Sequence, residues 1–414
     1  MMKGIKVAVM GYGTVGSGVC EVLTEKPALL SKKSDAEFVT LKYVLDIKDL
    51  SGTPAAPYWV KSVDRIVEDP EIDVVVETMG GVKPAFEFCM KCLSAGKSVV
   101  TSNKQLVAEK GEALFAEARA KNVAFRFGAA VCGGIPVMKT MAYGLAANRI
   151  ESFAGILNGT TNFILTKMFA EHASFDDALK EAQQRGYAEA DPTADVEGAD
   201  ACRKTAILCS MAFGSHVYPE EIPTEGITRV SPADAILAAD FGGSVKLIGW
   251  AKKENGAVFA GVCPMVVPYT GILSRVEGVY NAISINGDQI GSVLLYGKGA
   301  GKRATASAVA ADILDCARKP GFDPAYSWAP KEKSVLSDGS DRPVRLYARG
   351  FAQEPEAAFA RISGTLGVRR LRRENAPENE LAFVTERLPE QTLKRTLSSV
   401  SGFELLNTIR VFEG

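Results

Sequence analysis

The chain has 414 residues, of which 47% are hydrophobic and 23% charged, and its 48 basic and 49 acidic side chains nearly balance. That length predicts about two to four domains, and the balanced charge argues against nucleic acid or a charged membrane surface as the main partner. No apolar run reaches the roughly 18 residues of a membrane span, and the first strand begins too early to leave room for a signal peptide, so a cytoplasmic protein is expected.

The first predicted element is a strand that runs into a glycine-rich turn and then into a helix. Gly11, Gly13 and Gly16 have the spacing G-x-G-x-x-G directly after an apolar run, and Thr14 and Val15 open a helical pattern. Glycine suits the tight turn, the approach of a pyrophosphate to the backbone, and the close contact between strand and helix. The N–H groups at the start of the helix face the phosphates. The pattern therefore predicts a dinucleotide-binding site.

The second predicted strand, over residues 38–46, ends in an acid. Asp46 lies somewhat beyond the usual distance of about 20 residues after such a glycine turn. A carboxylate at this place accepts hydrogen bonds from both ribose hydroxyls and repels a 2′-phosphate, which favours NAD over NADP. Lys48 follows closely and can hold such a phosphate, so NADP stays open as the alternative.

Strand and helix patterns continue to alternate, with buried-strand runs at 72–77 and 98–101. Such alternation predicts an α/β fold with a Rossmann-type, doubly wound parallel sheet. We expect the dinucleotide-binding domain to span residues 1–135 and to be completed by 300–320. The turns that follow the strands supply three further candidate cofactor contacts, namely Thr78, Gly80 and Ser102.

The pattern changes in residues 136–300, where we expect an α+β domain for substrate binding and dimerisation. Helical and two-residue periodicities predict three helices and an antiparallel sheet there. The helices are expected at about 162–171, 175–186 and 199–213, and the strands within 245–270 and 276–296.

The remaining chain is predicted to hold a linker and a third domain. Residues 321–343 are rich in Pro, Ser, Asp and Gly, which is typical of a linker. Residues 344–414 run strand, helix, strand, strand, helix, strand, the order of a ferredoxin-like fold. This order resembles the ACT regulatory module, whose ligand turn usually carries Asp-x-x-Gly. Gln353-Glu-Pro-Glu356 stands at that turn instead.

A lysine follows a sheet strand in the segment Thr101-Ser-Asn-Lys104. A lysine at the buried carboxyl edge of a sheet is costly unless it contacts a ligand or an acid. Lys104 is therefore a candidate for the reacting centre, with an ordinary surface lysine as the alternative. The two histidines, His172 and His216, have no neighbouring ligand pair, so lysine or carboxylate is expected to move the proton.

The segment Asn158-Gly-Thr-Thr-Asn162 leads from a strand into an apolar helix. Its hydroxyl groups can cap that helix, which is a sufficient structural explanation. The N–H groups of the same turn, at Gly159 and Thr160, can equally hold a substrate carboxylate.

Residues 186–204 form the most specific segment of the chain. Four acids precede or open a helix that continues through Lys204: Glu189, Asp191, Asp195 and Asp200. Asp200 and Lys204 stand four residues apart on one helix face, a spacing that is usually a solvated surface pair. The loop favours function instead, because clustered acids can bind an amino group and a partly buried lysine can exchange a proton.

Taken together, these segments resemble homoserine dehydrogenase over nearly the whole chain. The motifs that carry the resemblance are the glycine turn, Thr101–Lys104, Ala130-Val-Cys-Gly-Gly-Ile-Pro136, Asn158–Asn162, residues 186–204 and Tyr296-Gly-Lys-Gly-Ala-Gly301. The resemblance implies reversible hydride transfer between a nicotinamide and L-aspartate 4-semialdehyde, which gives L-homoserine.

The resemblance also implies roles for single residues. Lys204 corresponds to the proton donor, with Asp200 and Lys104 around the reacting oxygen. The amino group and hydroxyl of homoserine are implied to lie against Tyr187, Glu189 and Asp200, with Thr160 beside the substrate; Asp195 belongs to the same acidic segment. Gly186 and Gly301 are implied to lie near the cofactor.

A monovalent cation, usually sodium, accompanies this family and is held mostly by backbone carbonyls. The resemblance places these carbonyls at Val131, Gly133 and Ile135. The family usually has glutamate where this chain has Gly128, which weakens the expected cation site.

Two other functions stay open on the sequence. A phosphorylating semialdehyde dehydrogenase needs a cysteine nucleophile, for which Cys132 is the candidate beside the right turn. A non-catalytic sensor would bind NAD and read an amino acid through the C-terminal domain. For all three functions the partner is a small molecule, and a homodimer or homotetramer is expected.

Overall fold

The computed structural model describes residues 4–339 and 342–414. The first part of the chain contains β1 (Ile5–Met10), α1 (Thr14–Glu25), α2 (Pro27–Ser34), β2 (Val39–Leu45), β3 (Trp59–Val60), α3 (Asp64–Val67), β4 (Val74–Glu77), α4 (Ala85–Ser94), β5 (Ser98–Thr101), α5 (Lys104–Lys121), β6 (Phe125–Arg126) and α6 (Val137–Lys139). The middle part contains β7 (Ile150–Ile156), α7 (Gly159–Ala170), α8 (Phe175–Gln184), α9 (Thr193–Val196), α10 (Ala199–Phe213), α11 (Pro232–Phe241), β8 (Gly243–Glu254), β9 (Ala257–Pro268), β10 (Tyr280–Gly287), β11 (Gly291–Lys298) and α12 (Lys302–Arg318). The last part contains β12 (Pro343–Val344), β13 (Leu346–Ala352), α13 (Pro355–Leu366), β14 (Val368–Leu371), β15 (Glu380–Thr385), β16 (Leu388–Pro389), α14 (Glu390–Ser399) and β17 (Phe403–Val411). In these two described stretches, no helix combines the length and the apolar character that a membrane span requires.

The N-terminal strands form a six-stranded sheet, which confirms the predicted doubly wound parallel arrangement. Its order is β3-β2-β1-β4-β5-β6, and every neighbouring pair is parallel. The central strands β1 and β4 are apolar and buried along most of their length, because helices cover both faces of such a sheet. This is the Rossmann strand order, in which ligands bind outside the carboxyl ends of the strands where the order reverses.

The chain divides into two compact units. The first comprises the residues up to Ile150 together with Ala206–Glu221 and Asn286–Val335, and the second comprises Glu151–Thr205, Ile222–Ile285 and Leu336–Gly414. Within the first unit, α12 packs against α1 at Gly18. A Cβ atom at Gly18 would lie 2.9 Å from the Lys302 side chain and 3.1 Å from Ala306 Cβ, so glycine permits the close helix contact.

A second sheet has nine strands in the order β11-β10-β7-β8-β9-β17-β13-β15-β14. The four C-terminal strands in it are antiparallel neighbours, and with α13 and α14 they form the predicted ferredoxin-like arrangement. In the second unit β17 also pairs in parallel with β9, through Arg410 with Met265 and Val411 with Val266. The C-terminal region therefore continues the sheet of its own unit instead of standing apart from it.

The first part of the expected linker over 321–343 packs within the first unit. Tyr326 and Trp328 are 1% and 4% exposed and belong to the first unit. Both rings pack against Phe127, with centroids 4.9 and 5.3 Å away. Composition suggested a linker because the stretch is rich in Pro, Ser, Asp and Gly, but two aromatic rings bury enough apolar surface to fix its first part. Residues 1–3 of the predicted first domain and 340–341 of the linker lie outside the described residues.

His216 closes this aromatic core of the first unit. It is 1% exposed, and its Nε2 lies 3.0 Å from the Ala108 carbonyl, which can only accept a hydrogen bond. Trp328 Nε1–H donates to Nδ1 over 2.9 Å. These two contacts define a neutral imidazole with its hydrogen on Nε2. Burial lowers the pKa of His216 below its usual 6.5.

This histidine predicts acid sensitivity of the fold. Because its folded-state pKa lies below 6.5, the unfolded chain takes up the proton first. The contribution of His216 is thus fully present above pH 6.5 and is lost as the pH falls towards the lower folded pKa. His216→Phe leaves the buried Trp328 N–H without an acceptor and should lower the free energy of unfolding by about 1–3 kcal/mol at neutral pH.

Urea unfolding, followed by tryptophan fluorescence at pH 7 and pH 5, measures both effects. The difference in the free energy of unfolding between wild type and His216→Phe should be smaller at pH 5 than at pH 7, because protonation of His216 destabilises only the wild type. His172→Gln, at an exposed histidine, is the matched control and should change neither value. A difference that grows on acidification would contradict the assignment.

Candidate active site

The glycine turn has the geometry that dinucleotide binding needs. Gly11 has a positive φ of 97°, and a Cβ there would lie 2.9 Å from the Thr78 carbonyl. At Gly16 a Cβ would come within 1.8 Å of the Gly11 carbonyl oxygen, so the strand and α1 meet too closely for any side chain. Gly13 faces open space and begins α1 at Thr14 without a side-chain cap. The first-turn N–H groups of α1 are therefore available to an anion.

Asp46, at the end of β2, is held against this turn. Its Oδ2 accepts a hydrogen bond from the Tyr12 N–H over 2.6 Å, and its Oδ1 accepts from the Lys48 N–H over 2.8 Å. The Trp59 indole N–H donates to the Asp46 carbonyl over 3.1 Å. These contacts fix the carboxylate at the carboxyl edge of the sheet, beside the glycine turn.

Glu77 is a buried acid at the carboxyl edge of the sheet that the sequence reasoning did not select. It ends β4 with no exposed surface, and burial raises the pKa of its carboxyl group. Oε2 accepts from the Thr101 hydroxyl over 2.5 Å, while Oε1 accepts from the N–H groups of Met79 and Gly80 over 2.8 and 3.3 Å. Glu77 thus joins the two turns at 78–81 and 101–104. An acid that ends a buried strand is the available signal, as at Asp46.

The Thr101–Lys104 segment enters α5 through an N-cap. Asn103 Oδ1 accepts from the Leu106 N–H over 3.1 Å, and its Nδ2 donates to the Gly81 carbonyl over 2.6 Å. Ser102 and Lys104 on either side are half-buried. Three predicted cofactor contacts remain. Val15 lies on α1, and Gly186 follows α8 with a φ of 71°. Gly301 is the N-cap of α12, with a φ of 110°.

In the second unit, Lys204 and Asp200 form a buried ion pair. They are 7% and 4% exposed, so the alternative of a solvated surface pair is wrong. Lys204 Nζ donates to Asp200 Oδ2 over 2.6 Å and to the Leu157 carbonyl over 2.8 Å. Removing two charges from water costs several kcal/mol, so a buried ion pair is weak evidence for a stabilising role. A buried pair beside a turn of polar residues is therefore a candidate for chemistry rather than for stability.

Asn158 contacts two of the acids near this lysine. The sequence reasoning did not select Asn158 as a site residue. Its Nδ2 donates to Asp195 Oδ1 over 2.7 Å and to Asp200 Oδ2 over 2.9 Å. Its Oδ1 accepts from the Thr161 N–H over 2.8 Å and so caps α7. The cap of α7 is therefore the Asn158 amide and not one of the threonine hydroxyls proposed from the sequence.

The same end of α7 holds the predicted substrate loop. The Thr160 hydroxyl donates to the Tyr187 carbonyl over 2.7 Å, so it fixes the loop backbone. The Tyr187 ring is 41% exposed and packs edge-on against Phe163, with centroids 5.1 Å apart. Glu189 is exposed. Gly159 has no room for a side chain, since a Cβ would lie 2.8 Å from the Val279 carbonyl.

The carbonyls expected to hold a cation lie in a buried loop of the first unit. Val131, Gly133 and Ile135 are all buried. The Ile135 carbonyl accepts a hydrogen bond from the Val137 N–H over 2.8 Å, which occupies part of its acceptor capacity.

Position 128 is tight for the glutamate of the family pattern. A Cβ at Gly128 would lie 3.0 Å from both carboxylate oxygens of Asp312 and 3.1 Å from the Tyr326 hydroxyl. Asp312 is fully buried, accepts from the Gly128 N–H over 2.8 Å and pairs with Lys139 over 3.1 Å. The nearby carboxylate thus already has an ammonium partner, and the residues fit a monovalent cation poorly.

All eight cysteines are buried thiols rather than disulfides. Cys132 has no exposed surface and a left-handed backbone with φ 55°, a conformation that costs a residue with a Cβ roughly 1–2 kcal/mol. A nucleophile must reach its substrate, so this burial does not favour the semialdehyde dehydrogenase mechanism with Cys132.

The backbone at Cys132 predicts an unusual order of stabilities. Cys132→Gly should unfold with a free energy about 1 kcal/mol higher than Cys132→Ala, because only alanine keeps the left-handed strain. Cys20, buried inside α1, is the matched control. There the free energy of unfolding of Cys20→Ala should exceed that of Cys20→Gly by about 1 kcal/mol. Urea unfolding of the four variants tests this, and the same sign at both positions would contradict it.

The first unit thus has a Rossmann sheet with a dinucleotide turn, and the second has a buried lysine–carboxylate cluster without a histidine. These features are those of an NAD(P)-dependent oxidoreductase. Family models agree: residues 11–128 match the homoserine dehydrogenase NAD-binding domain, and residues 136–314 match homoserine dehydrogenase.

Whole-chain comparisons give the same answer. The chain is 39% identical to homoserine dehydrogenase of Helicobacter pylori, covering 92% of this chain and 90% of that protein. It is 37% identical to homoserine dehydrogenase of Pseudomonas aeruginosa, covering 97% and 96%. The crystal structure of a homoserine dehydrogenase from Thiobacillus denitrificans superposes with a TM-score of 0.90 at 34% identity, covering 100% and 99%. A hyperthermophilic archaeal homoserine dehydrogenase solved with NADPH gives 0.65 at 28% identity, covering 78% and 100%. The chain belongs to the homoserine dehydrogenase family.

Proposed function

We propose that this protein interconverts L-aspartate 4-semialdehyde and L-homoserine with Lys204 as the proton donor, in the biosynthesis of threonine and methionine. The buried pair of Lys204 and Asp200, fixed by the Leu157 carbonyl, carries the assignment of roles. A bound nicotinamide supplies the hydride. An ammonium group beside the carbonyl oxygen stabilises the developing alkoxide and protonates it, and Asp200 keeps that ammonium in place.

The acidic loop is proposed to bind the amino acid end of the substrate. Carboxylates at Glu189 and Asp195 attract the α-amino group, and the first-turn N–H groups at Gly159 and Thr160 attract the α-carboxylate. Tyr187 presents an exposed ring in the same loop. Lys104, at the start of α5, is proposed as a second cation for the reacting oxygen.

The glycine turn fits a dinucleotide, and the proposed preference is NAD. The Asp46 carboxylate, oriented by the Tyr12 and Lys48 N–H groups, suits two ribose hydroxyls and repels a 2′-phosphate. The NADPH bound by the archaeal relative keeps NADP as the second cofactor to test.

Asp46→Ser should therefore raise the ratio of kcat/KM with NADP to kcat/KM with NAD by about 10- to 100-fold. The reason is that the substitution removes the repulsion between the Asp46 carboxylate and the 2′-phosphate of NADP. Steady-state kinetics with both cofactors measures the ratio. Asp49→Ser, at an exposed acid three positions along, is the matched control and should leave it unchanged. An unchanged ratio in Asp46→Ser would remove this residue from cofactor selection.

We propose that sodium binds only weakly to the carbonyls at Val131, Gly133 and Ile135, and that the enzyme does not need it. Position 128 lacks a carboxylate, and Asp312 is paired with Lys139. No step of the reaction is assigned to the cation. Turnover and melting temperature should accordingly be the same in sodium chloride and in choline chloride of equal ionic strength.

We further propose a cytoplasmic homodimer or homotetramer. β11 is the edge strand of its sheet, and Tyr296 on it is 55% exposed, which suits a contact with a second copy. The C-terminal ferredoxin-like region is proposed to be an ACT-type domain. Light scattering of the purified protein tests the oligomeric state.

The deciding experiment is oxidation of L-homoserine by the purified protein, with NAD and NADP in parallel, followed as absorbance of the reduced cofactor. Turnover with either cofactor supports the proposal. Folded protein that binds the cofactor but does not turn over homoserine would favour the sensor instead.

A further inference from the structure

We propose that Asn158 is a positioning residue for the reaction, and that its side-chain amide holds Asp195 and Asp200 in the arrangement that binds substrate and orients Lys204. This inference rests on the proposed function and adds a residue to it. Asn158 itself does not touch the reacting atoms.

The orientation of the amide follows from its neighbours. The Thr161 N–H, 2.8 Å from Oδ1, requires an acceptor on that side, so the oxygen faces α7 and Nδ2 faces the acids. An amide nitrogen has two hydrogens. One is donated to Asp195 over 2.7 Å and the other to Asp200 over 2.9 Å. The side chain is 5% exposed, so water cannot readily take over these bonds.

The amide serves as the donor shared by two carboxylates. Both oxygens lie within 3 Å of a single nitrogen, and without that donor the two negative charges would repel each other. Asp200 Oδ2 also accepts a hydrogen bond from Lys204. The same carboxylate oxygen therefore accepts one hydrogen bond from the Asn158 amide and one from the Lys204 ammonium. Moving Asp200 therefore moves Lys204.

The backbone of the same turn completes this arrangement. Leu157, the preceding residue, gives its carbonyl to Lys204 Nζ over 2.8 Å. Two consecutive residues between β7 and α7 thus position the lysine and both acids. In the next turn Thr160 fixes the Tyr187 backbone. The start of α7 consequently sets the relative positions of most proposed substrate contacts.

Three substitutions separate this role from simple helix capping. Serine and aspartate are good N-caps, whereas alanine is not, and none of the three can donate two hydrogen bonds to the acids. Asn158→Ser should stay folded and lose about 10- to 100-fold in kcat/KM for L-homoserine, as expected for lost hydrogen bonds to charged groups. Asn158→Asp should lose more, since it adds a third negative charge. Asn158→Ala should resemble serine in activity and fall below it in melting temperature.

The readouts are kcat and KM for L-homoserine, the dissociation constant of NAD from fluorescence, and thermal melting. The NAD constant should not change in any of the variants. Ser174→Ala removes the N-cap of α8, where Ser174 accepts from the Asp177 N–H over 3.1 Å, and serves as the capping control. It should lower the melting temperature without changing kcat or KM.

If Asn158→Ser or Asn158→Asp has the same kcat/KM as the wild type, Asn158 only caps α7 and the inference is overturned. If the serine variant does not fold, Asn158→Thr provides the same comparison. A wild-type protein that does not oxidise homoserine would defeat the proposed function itself. An active wild type with an equally active serine variant would defeat only the role of Asn158.

Discussion

Lys204→Ala is expected to lower kcat for homoserine oxidation by about 10²- to 10⁴-fold, the usual contribution of a positioned general acid or base. The reason is local, because Lys204 Nζ is the ammonium fixed between Asp200 and the Leu157 carbonyl. The glycine turn and Asp46, which are proposed to bind the pyrophosphate and the ribose, lie in the other unit. The dissociation constant of NAD should therefore stay within about threefold of the wild-type value, a difference of less than 1 kcal/mol.

Loss of stability has to be separated from loss of chemistry in that variant. Removing Lys204 leaves Asp200 as a buried carboxylate without its cation, which can cost about 3–5 kcal/mol of folding free energy. Lys204→Arg keeps a positive charge yet does not release a proton near neutral pH, so it should be folded and still inactive. Lys180→Ala, at an exposed lysine of α8, is the control and should behave as wild type. A folded Lys204→Arg protein with wild-type kcat would refute the role.

Arg349→Leu is expected to lower the free energy of unfolding by about 3–5 kcal/mol. Arg349 Nε donates to Asp234 Oδ1 over 2.7 Å, and Asp234 has no exposed surface. Burial alone would raise the pKa of Asp234, but the guanidinium and the accompanying hydrogen bonds hold it below its usual value. Without Arg349, the second unit would have to bury an uncompensated charge.

Urea unfolding of two further variants tests this explanation. Arg361→Leu, at an exposed arginine of α13, should change the free energy by no more than about 0.5 kcal/mol. Adding Asp234→Asn to Arg349→Leu removes the stranded charge, so the double variant should be more stable than additive losses predict. Strict additivity would mean that the pair is not coupled.

The network around Asp234 also shows how the C-terminal region is attached within its unit. Tyr347 and Asn407, on β13 and β17, donate to the same carboxylate over 2.7 and 3.1 Å. Together with the pairing of β17 to β9, this ties the ferredoxin-like strands to α11 and to the sheet. The second unit should therefore unfold as one cooperative body, and deleting the C-terminal region should expose the edge of β9.

The sequence alone determined the fold class, the dinucleotide turn and the family. Spacing of glycines and apolar residues is set by local geometry, so Gly11 and Gly16 could be placed without a structure. The acidic segment was equally visible, since Asp200 and Lys204 lie on adjacent helical turns. The doubly wound parallel sheet and the ferredoxin-like order of elements followed from the alternation of strand and helix patterns.

Only the tertiary structure decided which polar groups are buried and what they contact. The i, i+4 spacing does not encode the burial of the Asp200–Lys204 pair, which contacts Leu157 and Asn158 in the turn between β7 and α7. Asn158 and Glu77 gain their meaning from partners more than 20 positions away in the chain. The buried aromatic part of the expected linker and the parallel pairing of β17 with β9 are long-range for the same reason. Periodicity reports the neighbours of a residue along its own element, while contacts between elements are fixed by packing.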